Sequence, residues 1–307
     1  MKKAAASINQ SRMSTSTVID KAVAFVKPLL DERVQLQRSQ HARPIVVGVE
    51  GPQGSGKTYS SIRIKHALSE AYPNFNIIQF SLDDFYLTYE QQLAVNSHNE
   101  GNVLLQGRGL PGTHDVSLLL KVFEELLAND TSCLPIQIPI YDKSAHNGKG
   151  DRQAPATWTK VDKLVDVIIF EGWFNGYMSI SNDEDLIKKW HFIKKKQYPK
   201  FENITDLQIV DINRNLGRYE AIWKLFDLFI CIKTSEINNV YKWRLQQEYE
   251  LIRVKGRGMS DADVEQFIDR YMPIYYLYYD RLEVIQKRVK SLELNIDESR
   301  TLLSSKF

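Results

Sequence analysis

The sequence predicts an α/β fold, a parallel sheet flanked by helices with helical additions at its N- and C-terminal ends. Three observations predict it. Short, largely apolar runs recur at 45–49, 77–80, 165–170 and 226–232, as expected of strands buried on both faces of a parallel sheet. Segments of helical spacing alternate with them. A glycine-rich loop joins the first run to the helix after it, and a helix N-terminus there would face an anion.

The elements follow in order. Residues 1–17 are rich in Ser, Ala and Lys, have no acidic residue, and read as a flexible tail, with a targeting segment as the alternative. The remainder, 18–307, reads as one domain. Val18, Ile19, Val23, Phe25, Val26 and Leu30 suit a helix that Pro28 bends or ends. Ile45, Val46, Val47 and Val49 form the first strand, and Ile62, Ile64, Leu68 and Ala71 mark a helix over 58–72 that stops at Pro73. Between the third and fourth strands, a charged insertion at about 178–205 carries Lys188, Lys189, Lys194, Lys195 and Lys196. It reads as a solvated face, because no aromatic ladder accompanies it. Ser260 and Asp263 form a capping box for a helix from Asp261. Pro273 divides that helix from another over 274–290, and Tyr271, Tyr275, Tyr276, Tyr278 and Tyr279 pack the pair onto the body.

Composition excludes several classes. The 307 residues are 43% hydrophobic and 25% charged, which is neither disordered nor fibrous. Forty basic against 38 acidic residues give +2, so no global field draws nucleic acid or an anionic membrane. No apolar run reaches the roughly 20 residues that span a bilayer. Two distant cysteines, Cys133 and Cys231, make no disulfide framework. A reducing compartment, the cytoplasm, is expected. His114 and His146 lack companions at ligand spacing, so zinc is not expected.

Gly51-Pro52-Gln53-Gly54-Ser55-Gly56-Lys57-Thr58 matches G-x-x-x-x-G-K-[ST] throughout, between a buried strand and a helix. Glycines let the backbone wrap a phosphate and aim its N–H groups inward. Lys57 reaches the β and γ phosphates, and the Thr58 hydroxyl can ligate Mg²⁺. The fold is therefore of the P-loop NTPase class, with ATP and Mg²⁺ as expected cofactors. No N-K-x-D-like guanine reader is present and no second P-loop.

Acidic groups at strand ends narrow the chemistry. The second strand runs into Asp83 and Asp84, where a carboxylate can accept the proton of an attacking hydroxyl or hold Mg²⁺. A turn or helix cap is the alternative for each. The third strand ends at Glu171, the position of an acid that orients Mg²⁺ or its water.

Further motifs follow in order: Asp83-Asp84-Phe85-Tyr86-Leu87-Thr88, Arg108-Gly109-Leu110-Pro111-Gly112-Thr113-His114-Asp115, Tyr141-Asp142-Lys143-Ser144, Gly150-Asp151-Arg152, Glu171-Gly172-Trp173-Phe174, Trp243-Arg244-Leu245-Gln246-Gln247-Glu248 and Gly258-Met259-Ser260-Asp261. With the phosphate loop, they resemble the D-glycerate 3-kinase family, related to the uridine kinase, phosphoribulokinase and pantothenate kinase group. The resemblance covers about 45–282. It implies an ATP-dependent kinase that phosphorylates a hydroxyl of a small molecule, D-glycerate first among candidates. It also implies Asp83 as base, Lys57 and Thr58 as phosphate and Mg²⁺ contacts, and Glu171 as the acid after the third strand. Arg244 would lie on a lid at about 241–260 that covers the transferred phosphoryl.

A small carboxylate substrate needs a cation and hydroxyl acceptors. The candidates are Asp84, Tyr86, Arg108, His114, Tyr141, Lys143 and Arg152. The alternative for Arg108 and Arg152 is pairing with Asp115 and Asp151 to hold loops. Arg244, Arg253, Lys255 and Arg257 form a basic cluster that reads either as lid cations or as a solvated helix end. Tyr86, Tyr141 and Trp173 could stack a nucleoside, so another acceptor stays open, as does an ATP-binding regulatory protein without turnover.

Overall fold

A computed structural model describes residues 17–35, 42–256 and 258–307. The expected tail, apart from Thr17, lies outside the described residues, as do Arg257 and the Lys255 side chain.

Helix α1 (Val18–Gln35) leads to strand β1 (Ile45–Glu50), helix α2 (Lys57–Ala71) and strand β2 (Ile77–Ser81). Helices α3 (Tyr89–His98) and α4 (Val116–Ala128) follow, then two small antiparallel ribbons. One pairs β3 (Ile136–Ile138) with β6 (Thr159–Val161), and the other pairs β4 (Tyr141–Asp142) with β5 (Asp151–Arg152). Strand β7 (Val167–Gly172) returns to the main sheet, and helices α5 (Asp183–Lys196), α6 (Asp206–Gly217) and α7 (Glu220–Trp223) lead to β8 (Leu228–Thr234). Beyond it lie α8 (Asn239–Lys255), α9 (Asp261–Asp269), α10 (Met272–Tyr278), α11 (Glu283–Gln286) and the hairpin β9 (Lys290–Ile296) and β10 (Leu302–Lys306).

The sheet order is β10-β9-β8-β1-β7-β2, parallel throughout except for β10. β1 is central and every residue of β1 and β7 is buried, as their unbroken apolar runs require. The register sets Glu171 level with both Val49 and Ser81. The carboxyl ends of β1, β2 and β7 thus converge, and the residues after them share one crevice.

Two sequence expectations need correction. Pro28 does not end α1, which continues to Gln35. An interior proline costs roughly 3 kcal/mol, but Ala22, Phe25, Val26 and Leu30 are buried along one face, and that packing holds the helix together. The helix expected over 274–290 breaks after Tyr278 into a 3₁₀ turn and the short α11, and 290–296 is a strand. Leu292, Leu294 and Ile296 alternate inward there, a period of two that wins over helical propensity once β8 offers a partner.

Among the described residues no helix is long and apolar enough to cross a membrane. The lysine-rich insertion forms α5, whose last turn carries Lys194, Lys195 and Lys196, where cations oppose the helix dipole. Lys189 pairs with Asp280 at 2.7 Å, which docks α5 onto the C-terminal helices.

Candidate active site

The phosphate loop turns out of β1 with Gly54 and Gly56 at φ +82° and +88°, the left-handed region where a side chain is strained. Gly56 is the N-cap of α2, and among the described residues no side chain caps it. The first-turn N–H groups therefore remain available to an anion. The Gln53 N–H donates to the Tyr275 hydroxyl at 2.9 Å, so a C-terminal helix braces the loop. Tyr275 and Tyr271 also pack edge-on against the buried Trp173. Two of the tyrosines expected only to pack thus reach the site.

The Thr58 hydroxyl donates to Glu171 Oε1 at 2.9 Å. Glu171 is 2% exposed, and its Oε2 is buried without a hydrogen-bond partner among the described residues. An orphaned buried carboxylate oxygen beside a phosphate-loop hydroxyl fits a divalent cation. Among the described residues no group of three or more His, Cys, Asp or Glu could cage a metal by itself. That suits Mg²⁺, which keeps waters and phosphate oxygens as its remaining ligands.

Asp83 lies in the turn after β2. Its Oδ2 accepts from Lys143 Nζ at 2.7 Å, and its Oδ1 from the Tyr86 hydroxyl at 2.9 Å. Burial alone would raise the Asp83 carboxyl, but the Lys143 and Lys57 charges outweigh it and hold the group well below the usual carboxylate range. Asp84 is turned the other way. It accepts from the Ser81 N–H at 2.9 Å and completes a capping box, the cap alternative raised for it by sequence. Burial, with the Asp83 and Glu171 charges adding and the Ser81 N–H opposing, pushes the Asp84 carboxyl up to about 6.

The remaining candidates form a layered wall. Tyr86 stacks on His114 with centroids 4.3 Å apart and meets Tyr141 edge-on at 5.1 Å. His114 is 4% exposed, its Nδ1 on the Tyr219 hydroxyl at 2.9 Å, and burial lowers its pKa to about 3, so it stays neutral. Arg108 lies over the Tyr141 ring and donates to the carbonyls of Lys143, Gly148 and Lys149. It therefore frames the loop that presents Lys143. Arg152 pairs with Asp115 at 3.0 Å with its side chain 10% exposed, so its charge is spent on holding β5 to the start of α4. Asp151 instead takes His146 and the Tyr89 N–H. A cleft of about 460 Å³ opens beside Arg108, lined also by Tyr89, Lys149, Phe267 and Arg270. Arg244 sits on α8, paired with the buried Glu248 at 2.7 Å and 5.5 Å from the Phe267 ring centroid. Arg253 pairs with Glu250 on the exposed side of α8, apart from this constellation.

One group was not singled out by sequence. Glu50 ends β1 immediately before the loop and is fully buried; Cys231 donates its thiol to Oε2 at 3.1 Å. Burial pushes its carboxyl up to about 8, against the Lys57 and Lys233 charges. A pKa raised on folding stabilises the protein fully below the ordinary carboxylate range and loses that contribution as pH rises through 8. Glu50→Gln, which mimics the protonated form, should therefore melt several degrees above the wild type at pH 8.5 and converge with it near pH 5. Parallel melting curves of the two proteins across that window would count against a protonated Glu50.

A strand–phosphate loop–helix unit, a strand-end acid on its hydroxyl and an ion-paired aspartate one strand away define an ATP-dependent P-loop kinase of small molecules. No profile of a known protein family matches the chain. It is 39% identical over 304 residues to a Saccharomyces cerevisiae protein named Probable ATP-dependent kinase TDA10, covering 95% of this chain and 97% of that one. It is 35% identical over 240 residues to the chloroplastic D-glycerate 3-kinase of Arabidopsis thaliana, covering 78% of this chain and 48% of that one. The solved structure of D-glycerate 3-kinase from Cryptococcus neoformans matches with a TM-score of 0.82 at 32% identity, covering 94% of this chain and 98% of that one. The chain belongs to the D-glycerate 3-kinase family of ATP-dependent kinases.

Proposed function

We propose that the protein transfers the γ-phosphoryl of ATP to a hydroxyl of D-glycerate. The observation that carries this reading is Asp83, an ionised carboxylate fixed between Lys143 and Tyr86 and within electrostatic reach of Lys57. A hydroxyl placed against Asp83 would be aligned toward the terminal phosphate. Because the carboxylate is held at a low pKa, it is a weak base. It orients the hydroxyl and takes the proton late, when transfer to phosphate has made that proton acidic. Lys57 and the first-turn N–H groups of α2 neutralise charge on the phosphates as it shifts. Thr58 and Glu171, with Asp83 nearby, would hold Mg²⁺, which would supply further charge neutralisation when bound. Arg244 would have to exchange Glu248 for the phosphoryl, as a lid residue does on closing.

The acceptor reading draws on the cations beside Asp83. Lys143 pairs with Asp83, and Arg108, which donates to the Lys143 carbonyl, lines the neighbouring cleft with Lys149, a setting suited to a small carboxylate. Stacking a nucleobase would need open aromatic faces, yet Tyr86 and Trp173 are 4% and 2% exposed, and the half-buried Tyr141 has Arg108 over its ring and Tyr86 packed edge-on. Similarity to the Cryptococcus neoformans and Arabidopsis thaliana D-glycerate 3-kinases supports the same acceptor. The test is ADP release by the purified protein with Mg²⁺ and ATP across D-glycerate, pantothenate, uridine and several sugar acids. D-glycerate should stand alone as the acceptor. Turnover on another member of the panel, with none on D-glycerate, would refute the assignment.

A further inference from the structure

Arg300 has no part in the chemistry above, yet it touches the phosphate loop. It lies in the turn between β9 and β10 at φ +66°, a left-handed conformation that a residue other than glycine keeps only where its surroundings hold it. Its Nε donates to the Gly54 carbonyl at 2.6 Å and its Nη1 to Gln246 Oε1 on α8 at 2.9 Å. The guanidinium lies 5.4 Å from the centroid of Trp243, also on α8. Trp243 Nε1 donates back to the Glu298 carbonyl in the same turn at 2.6 Å, and Lys242 pairs with the Glu298 carboxylate at 2.7 Å. The ring of contacts closes at the loop itself, where a Cβ on Gly54 would stand 2.3 Å from Trp243 Cβ. Only a glycine admits the helix that close.

A trans peptide points its C=O and the next N–H in opposite directions. Holding the Gly54 carbonyl therefore also sets the Ser55 N–H, which closes the turn onto the Pro52 carbonyl at 3.1 Å. The neighbour of Trp243 is Arg244. Phosphate loop, C-terminal turn and the helix bearing Arg244 are thus tied together by charge-assisted hydrogen bonds and one aromatic contact.

We propose that Arg300 is a positioning residue of the nucleotide site: it clamps the crown of the phosphate loop to α8, so that ATP affinity and the placement of Arg244 depend on one contact. The proposal rests on the ATP-dependent kinase assignment and not on the identity of the acceptor.

The test uses the full chain as wild type, Arg300→Ala, Arg300→Met and Arg300→Lys, with ATP and Mg²⁺ titrated calorimetrically and turnover measured on D-glycerate. Arg300→Ala should weaken ATP binding by about tenfold and raise the KM for ATP alike, as loss of a charge-assisted hydrogen bond does. The KM for D-glycerate should stay within about twofold, since no acceptor contact is touched. Arg300→Met keeps apolar packing on Trp243 and should match the alanine variant. Arg300→Lys returns one donor to the Gly54 carbonyl and should recover part of the affinity. ATP affinity of Arg300→Ala within twofold of wild type overturns the proposal, as does a lysine variant no better than methionine. Should the wild type leave D-glycerate untouched, the acceptor assignment fails, and the ATP titrations still decide the role of Arg300.

Discussion

Asp83→Asn is expected to lower turnover by roughly 10²–10⁴-fold, the usual contribution of a positioned acid–base group, while ATP affinity holds or improves. The amide is nearly isosteric and still accepts from the Tyr86 hydroxyl. What it loses is the charge that faces Lys143. The Lys143 side chain is 58% exposed, so water can solvate the ammonium left behind, and fold stability should change little. With Asp83 neutral, Lys143 and Lys57 act together on the polyphosphate, which is why affinity should not fall. The measurements are single-turnover transfer and ATP titration on one preparation. Transfer within threefold of wild type would remove Asp83 from the reaction.

Lys57→Met is expected to cost on the order of 10²–10³-fold in turnover, as loss of one preorganised charge at a transition state does, and to weaken ATP binding as well. That joint loss distinguishes it from Asp83→Asn, which should affect transfer alone. Among the described residues the Lys57 ammonium makes no hydrogen bond or ion pair, and its side chain is only half-buried. Its removal therefore breaks no structural contact, and the melting temperature should stay near that of the wild type. Lys57 also helps to hold the Asp83 carboxyl down. The double variant should consequently lose less than the product of the two single losses, because both act in one step. Strictly multiplicative losses would mean that the two residues act independently.

Much of this site is contiguous in sequence, which is why it could be read there. The phosphate loop is one octapeptide, and its flanking strand and helix announce themselves by burial pattern and spacing. Asp83 and Glu171 were legible because each follows an apolar strand. Their company was not. The Lys143–Asp83 and Thr58–Glu171 contacts join residues 60 and 113 positions apart, and strand order decides which distant loops meet. Asp84 and Arg152 show the limit of residue type as a guide. Both look like ligands, yet Asp84 Oδ2 caps the turn after β2 and Arg152 pairs with Asp115. Glu50 was missed because it reads as the polar end of a strand, and only the register that sets it beside Cys231 shows it to be enclosed. The β9–β10 hairpin was missed because a helix was expected up to residue 290 and β10 turns mostly outward, so the inward alternation of Leu292, Leu294 and Ile296 had no recognisable partner strand beside it.

The Arg300–Gly54 contact also bears on when the protein becomes competent during synthesis. The two residues are 246 positions apart. At typical elongation rates the phosphate loop leaves the ribosome roughly ten seconds to a minute before its brace is made. Strands β1, β2 and β7 can assemble in that interval, with every motif residue in place and the crown of the loop unsupported. A nascent chain stalled before residue 300 would carry the full nucleotide signature and bind ATP poorly. Competence would wait for the β9–β10 turn, so the motif residues alone would not make a working nucleotide site.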